Sequence, residues 1–410
     1  MMKKTRRSFL KTALATTAAT ALPGSMFLRA SSVSAAEPVK VGILHSLTGT
    51  VAIAEAHVVD AEKLAIEEIN AAGGVNGREL QAVAYDPASD TLAFSRYAKR
   101  LMVEDGVTTI FGCYTSSSRK AVAPVVERLN GILWYPTLYE GFEYSPNIIY
   151  TGSAPNQNCV ELCRFLMDTY GNRFYLIGSD YIYPRELNRM MRDFLVASGG
   201  VVVGERYLDL RAKRGEFAPA IRDVVEAGAD VIFSTVVGTA TSYLYQAYAD
   251  AGLSPKSVPI ASLTTTEAEV LAMGFDVGEG ITAASYFEGV ETGADASFAD
   301  RYKRRFGADE PTNACSEAAY FQVFMFAEAL RQADTMDTET LLRIVLGSSF
   351  EAPQGRVRIN PATNHTDLWT RIGRANRRGH FDLIRQSVGP VQADPFLICA
   401  SRAEHSDFAR

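Results

Sequence analysis

Hydroxyls and phenol rings recur where short apolar runs end. Residues 107–111 stop at Gly112-Cys113-Tyr114 and a run of Thr115, Ser116, Ser117 and Ser118; residues 132–135 stop at Pro136-Thr137-Leu138-Tyr139; residues 174–177 stop at Gly178-Ser179-Asp180-Tyr181-Ile182-Tyr183-Pro184. Such groups give and take hydrogen bonds and offer aromatic walls, and hydroxyls and phenols carry no charge at neutral pH. This is chemistry for holding a molecule rather than breaking one. Nucleophilic catalysis lacks its partners: there is no G-x-S-x-G turn, and His45, His57, His365, His380 and His405 read as solvated or packed. Cys113, at a strand end before a helix, is the single candidate nucleophile, and no base or acid accompanies it. Glu140, Glu143, Asp180 and Glu186 are spread through loops and read as solvated or capping acids. Gly278-Glu279-Gly280 with Ala283 matches a dinucleotide fingerprint in letters alone, with no strand leading into it. The expectation is a binding protein with no catalytic residue, no cofactor and no metal.

Bringing those strand ends together requires parallel neighbours. Residues 39–44 read as the first strand, and a helix over roughly 55–72 follows, with Val58, Ala61, Ala65, Ile69 and Ala72 on one face. Gly73-Gly74 ends it. Strand 80–85, helix 91–104, strand 107–111, helix 120–129 and strands 132–135 and 148–150 continue the alternation. In the plainest reading Ser116 to Ser118 cap the helix that follows them. Residues 151–156 form a Gly/Pro/Asn-containing break, a first crossover. The pattern then restarts, with helices 158–170, 186–198, 217–227 and 241–251 among strands 174–177, 201–207, 230–236 and 258–263. Helices 298–306, 316–333 and 338–347 come next, then short antiparallel strands within 356–381. Alternation of this kind predicts an α/β fold of two doubly wound parallel-sheet lobes joined by crossover hinge strands. Ligands of such sheets sit outside the carboxyl ends of the strands.

The 410 residues, 47% hydrophobic and 21% charged, suffice for two cores. The first 36 differ from the rest: a basic start with Arg6-Arg7, an Ala/Thr-rich segment, then Ser34-Ala35-Ala36, a small-residue cleavage site. They read as a twin-arginine export leader, cleaved near Ala36, that delivers a periplasmic protein. The leader removes six Lys/Arg and no acid from a chain with 41 basic and 47 acidic residues, so the mature net charge is −12. That charge repels nucleic acid. No later stretch is apolar for 18 positions, so no membrane insertion of the mature chain is expected. The cysteines, Cys113, Cys159, Cys163, Cys315 and Cys399, lack metal-type spacing, and Cys159 and Cys163 read as core-facing on one helix.

The bound molecule can be narrowed on chemistry. A zwitterionic amino acid asks for a carboxylate opposite its ammonium group, whereas hydroxyls, helix-start N–H groups and aromatic walls suit a small neutral amide. A ligand of about four heavy atoms, at roughly −1.5 kcal/mol per atom, reaches about −6 kcal/mol, a dissociation constant of tens of micromolar.

The start of the chain, with SLTG and INAAGGVNGR, resembles type I periplasmic solute-binding proteins. GCYTSSSRKAVAPVVE, WYPTLYEGFEYSPNIIYTGSAPNQN, GSDYIYPRE, FSTVVGT and IASLTTTEAEV resemble the branch that holds the short-chain amide sensor and the urea- and amide-binding receptors of ABC transporters. The resemblance implies residues 37–152 and about 288–335 in an N-terminal lobe, 153–287 and about 336–395 in a C-terminal lobe, and a tail of 396–410. By motif position it implies that Tyr114, Ser116, Thr137 and Tyr181 contact a carboxamide and that Tyr135 and Tyr183 wall the substituent. Thr235, Val236 and Thr264 would complete the site. The implied role is capture of a short-chain aliphatic amide or urea and delivery to a membrane permease. An amide-responsive sensor subunit and a branched-chain amino acid receptor are the alternatives. Two departures stand out: the amide sensor usually has proline where this chain has Leu138, and it has no export leader.

Overall fold

The computed structural model describes residues 37–291, 297–397 and 408–409. The export leader, Cys399 and most of the tail lie outside them. Val39–Leu44 (β1), Leu80–Tyr85 (β2), Thr109–Gly112 (β3), Ile132–Tyr135 (β4) and Ile148–Tyr150 (β5) form a parallel sheet in the order β2-β1-β3-β4-β5. Its inner strands are largely apolar, with Lys40 the exposed exception in β1, because helices cover both faces. Successive side chains go to opposite sides. Ile110, Leu133 and Ile148 join the core under Thr91–Val103 (α2) and Ser116–Arg128 (α3), while Phe111, Trp134 and Ile149 join the core under Ala52–Ala71 (α1). The helix α3 starts earlier than its apolar pattern predicts. Thr115 is the cap, its Oγ1 accepting from Ser118 N–H at 3.1 Å, so Ser116 to Ser118 form the first turn.

The second lobe repeats the winding. Cys159–Thr169 (α4), Arg173–Ser179 (β6), Ile182–Ala197 (α5), Val201–Leu208 (β7), Arg214–Glu226 (α6), Val231–Thr235 (β8), Thr239–Asp250 (α7), Ile260–Ser262 (β9), Glu267–Met273 (α8), Phe275–Gly278 (α9) and Ile281–Ala284 (β10) follow in the chain. Their strands lie parallel in the order β7-β6-β8-β9-β10, the same relative order as in the first sheet. The strand β10 is not evident in the sequence, since ITAA is four residues long and ends in two alanines.

The chain then returns to the first lobe. From Phe298–Phe306 (α10), Arg301 reaches Glu68 at 3.0 Å and Arg305 reaches Glu67 at 2.7 Å, both on α1. Gln322, on Ala314–Ala333 (α11), bonds Glu62 of α1 and Thr151. Thr338, opening Thr338–Val345 (α12), donates to the Asn130 carbonyl at 2.6 Å. Ser349–Ala352 (β11), Gly355–Ile359 (β12) and Thr366–Asp367 (β13) make a small antiparallel sheet, and beside it Tyr150 N–H donates to the Asn364 carbonyl while Thr366 Oγ1 donates to the Tyr150 carbonyl. The expectation placed about 336–395 in the C-terminal lobe, whereas Thr338 and residues 364–366 bond to Asn130 and Tyr150. The outer edge of β5 would otherwise present unpaired backbone, and residues 364–366 cover it. Arg371–Ala375 (β14) extends the second sheet antiparallel to β10, Phe381–Ser387 (β15) pairs antiparallel to β14, and Phe408–Ala409 (β16) lies antiparallel beyond it.

The lobes are therefore crossed after β5, after β10 and after β13. Gln157 Nε2 donates to the Thr366 carbonyl and Thr370 Oγ1 to the Gln157 carbonyl, tying the first crossing to the third.

Candidate ligand-binding site

The carboxyl ends of β3 and β4 face those of β6, β8 and β9 across a narrow cavity of about 10 Å³. Tyr114, Ser116, Thr137 and Leu138 line it from the first lobe, and Tyr181, Tyr183, Val237 and Thr264 from the second. The cavity has room for little more than one water-sized group, so only a very small guest fits between the lobes as they stand. The lobes are in contact at its rim: Gly238, at φ 69°, lies so near the Thr50 carbonyl that a Cβ there would fall 2.5 Å from its oxygen.

No lining side chain is charged. Burial holds the phenols of Tyr114, Tyr181 and Tyr183 well above their ordinary pKa, so they remain protonated. Their capacities differ. The Tyr114 phenol lies beside the Cys315 thiol. Thr264 gives its proton to the Val236 carbonyl at 2.6 Å and keeps a lone pair. Thr137 Oγ1 and Tyr183 OH are buried with no hydrogen-bond partner in the protein. At the mouth of α3 the N–H groups of Ser116 and Ser117 belong to the first turn, whose donors an α-helix cannot satisfy internally.

Behind Ser116 lies a buried ionic cluster that fixes its orientation. Ser116 Oγ donates to Glu140 and accepts from Arg119 Nη1 at 3.2 Å. Arg119 is fully buried, pairs with Glu140 at 3.1 Å and Glu143 at 2.7 Å, and stands 4.8 and 4.5 Å from the ring centres of Tyr135 and Tyr139. With both carboxylates neutralised by Arg119 and Lys120, the cluster presents no carboxylate among the lining residues.

Six of the nine expected site residues line the cavity: Tyr114, Ser116, Thr137, Tyr181, Tyr183 and Thr264. Tyr135, Thr235 and Val236 do not, and strand alternation explains each. Tyr135 shares the face of Leu133 and packs toward α2 and α3, its hydroxyl donating to the Tyr114 carbonyl at 2.7 Å. Thr235 Oγ1 turns to Asn188 on α5 at 3.1 Å. Val236 enters the core beneath α6 and α7, leaving Val237 as the wall. Counting the period of two from the buried residues of β8 is the sequence feature that selects Val237.

The candidate nucleophile is disfavoured on geometry and electrostatics alike. Cys113 is fully buried in the core with φ 70°, and desolvation pushes its thiol up. Among the described residues no group of three His, Cys, Asp or Glu could hold a metal, and no helix is long and apolar enough to cross a membrane.

Two like-wound lobes closing on an uncharged cavity at their strand ends define a protein that encloses a small solute. The chain belongs to the periplasmic binding protein domain family, whose model matches residues 39–402. Residues 5–23 match the twin-arginine translocation signal, so the protein is one exported to the periplasm. Its family is one of solute-binding proteins, not enzymes. A Leu/Ile/Val-binding protein homolog 6 of Brucella abortus is 22% identical over 350 residues, covering 83% of this chain and 88% of the relative. Homolog 7 from the same organism is 22% identical over 349 residues, 79% and 85% of the two chains. The solute-binding protein of an ABC transporter from Rhodopseudomonas palustris, solved with 3,4-dihydroxybenzoic acid, superposes with a TM-score of 0.77 at 20% identity, over 87% of this chain and 98% of its own. A branched-chain amino acid transporter substrate-binding protein from Streptococcus pneumoniae, solved with isoleucine, gives 0.73 at 16%, over 85% and 99%. At those identities the likeness is one of fold.

Proposed function

We propose that the protein captures a short-chain aliphatic amide between its lobes and hands it to the membrane permease of an ABC transporter. The observation that carries this reading is the cavity itself, uncharged on every side, with an unused hydroxyl in each lobe. A primary amide has one carbonyl to accept from Thr137 or Tyr183 and two N–H donors for the remaining lone pair of Thr264 and for a second hydroxyl oxygen. Leucine or isoleucine would bury an ammonium group with no carboxylate in the lining, at a cost of several kcal/mol. A hydroxybenzoate, the ligand type of the Rhodopseudomonas neighbour, would bring a carboxylate to a lining without lysine or arginine. Urea fits the polar groups, but its second –NH2 would face Leu138 and Val237, which favours an alkyl substituent there.

Contact with both lobes stabilises the closed form only, so ligand shifts the population toward closure, the state a permease would recognise. The export leader favours such a transport role over sensing in the cytoplasm. Calorimetric titration of the mature protein with acetamide, propionamide, urea, leucine and 4-hydroxybenzoate tests the assignment. Binding of the amides at tens of micromolar is expected, whereas heat from leucine or 4-hydroxybenzoate alone would overturn it.

A further inference from the structure

A second cavity, of about 30 Å³, lies against the crossing segments that join the lobes. It shares one lining residue with the ligand cavity, Leu138. Its walls mix Leu263, Ala283 and Phe287 with Thr282, Ser285 and Glu267, whose Oε1 accepts from Glu288 N–H. Thr137 contributes its orphaned hydroxyl to the first cavity, and the next residue, Leu138, stands between the two. The backbone there has little freedom to adapt. Gly152 of the first crossing packs directly on the Thr137–Leu138 peptide, so a Cβ at that glycine would fall 2.1 Å from Thr137 C and 2.7 Å from Leu138 N.

From this we infer that Leu138 is the specificity-determining residue for ligand length, its side chain standing between the amide cavity and the second cavity at the hinge. The inference rests on the amide reading above. A primary amide anchored by its carboxamide at Thr137 and Tyr183 directs its alkyl chain at the Leu138 side chain, and the chain length at which affinity stops rising is set there. Truncating Leu138 joins the two cavities. Each methylene that then enters apolar surroundings is worth about 0.8 kcal/mol, roughly a fourfold gain in affinity.

The test is a calorimetric series of straight-chain primary amides, acetamide to hexanamide, on the mature wild-type protein and on Leu138→Ala. In the wild type affinity should peak at a short amide and fall beyond it. In Leu138→Ala it should go on rising, about fourfold per methylene, through pentanamide and hexanamide. Should Leu138→Ala melt too low to titrate, Leu138→Val keeps a branched side chain and should move the peak by one methylene. The same chain-length profile in wild type and variant overturns the inference while leaving the amide reading standing. No heat from any amide in the wild type overturns the amide reading, and the length filter with it.

Discussion

Thr137 Oγ1 in the first lobe and Tyr183 OH in the second face one cavity, and neither hydroxyl is hydrogen-bonded within the protein. A buried polar group left in that state costs about 1–3 kcal/mol, which a bound molecule with matching groups returns. Tyr183→Phe and Thr137→Val should therefore leave the free protein as stable as before or slightly more so. Both should weaken propionamide binding by about 1–3 kcal/mol, roughly five- to 150-fold. Thermal melting and calorimetry on the same samples separate the two effects. Lower melting temperature with unchanged affinity would assign the hydroxyls to the fold and not to the ligand.

The alternation of strand and helix, and with it both sheets, was legible because parallel strands buried on two faces read as unbroken apolar runs such as FYLIG and VIFS. The tyrosine and hydroxyl cluster was legible because strand ends can be located to within a residue or two. What that margin loses is side-chain direction: one residue of slip exchanges Val236 for Val237 and sends Tyr135 into the cavity instead of the core. The destination of residues 338–367 was not legible at all. Nothing local in NPATNHTD announces that His365 stacks on Tyr150, ring centres 4.1 Å apart, to cover the edge of β5. The role of Arg119 was equally hidden, since an arginine in an amphipathic helix reads as a surface residue until Glu140 and Glu143 arrive from a loop 21 and 24 positions on.

That arginine makes the ligand site dependent on an ion pair it never shows to solvent. Removing one member of a buried cluster leaves uncompensated charge, so Arg119→Met should destabilise the protein by about 3–5 kcal/mol. The pH dependence follows from Glu143. Burial works to raise its pKa, but Arg119 and Lys120 hold it at about 2, against an ordinary 4.5. A lowered acid pKa stabilises the fold above pH 4.5, and the contribution, about 3 kcal/mol, is lost as the pH falls toward 2. Urea melts from pH 7 to 2.5 should show that loss in the wild type. In Arg119→Met it should move to higher pH; identical profiles would mean that Arg119 does not hold the Glu143 charge.

A second buried network should give the opposite slope. His45, fully buried, stands between Glu55 at 3.2 Å and Glu62 at 3.1 Å, and Glu62 continues through Gln322 to Thr151 in the first crossing. Burial lowers the imidazole pKa, yet the charge of Glu62 and the hydrogen bonds that the ring donates to both acids outweigh it and raise His45 to about 9. A base raised from 6.5 contributes its full stability below that pH and loses it as the pH climbs through 9. Burial works to raise the pKa of Glu62, and the charge on His45 opposes that. The melting temperature should therefore decline between pH 6.5 and 9.5. His45→Gln should melt lower overall and lose its share of that slope, and an unchanged slope in the variant would place its origin elsewhere.

The contact between Gly152 and the Thr137–Leu138 peptide links the hinge to the binding loop most directly. A Cβ on Gly152 would lie 2.1 Å from Thr137 C and 2.2 Å from Thr137 O, both backbone atoms that no rotamer change can move aside. Gly152→Ala must push the first crossing away from the loop after β4, an overpacking that costs about 1–3 kcal/mol. Because Thr137 moves with its peptide, amide affinity should fall together with stability, which distinguishes this variant from Tyr183→Phe, where only affinity falls. Gly215→Ala serves as the control. That glycine lies in α6 with open space where its Cβ would go and a φ outside the left-handed region, so alanine there should be neutral or add about 0.5–1 kcal/mol. If Gly152→Ala melts and binds like Gly215→Ala, the crossing and the binding loop are not mechanically joined, and hinge motion would have to reach Thr137 by another route.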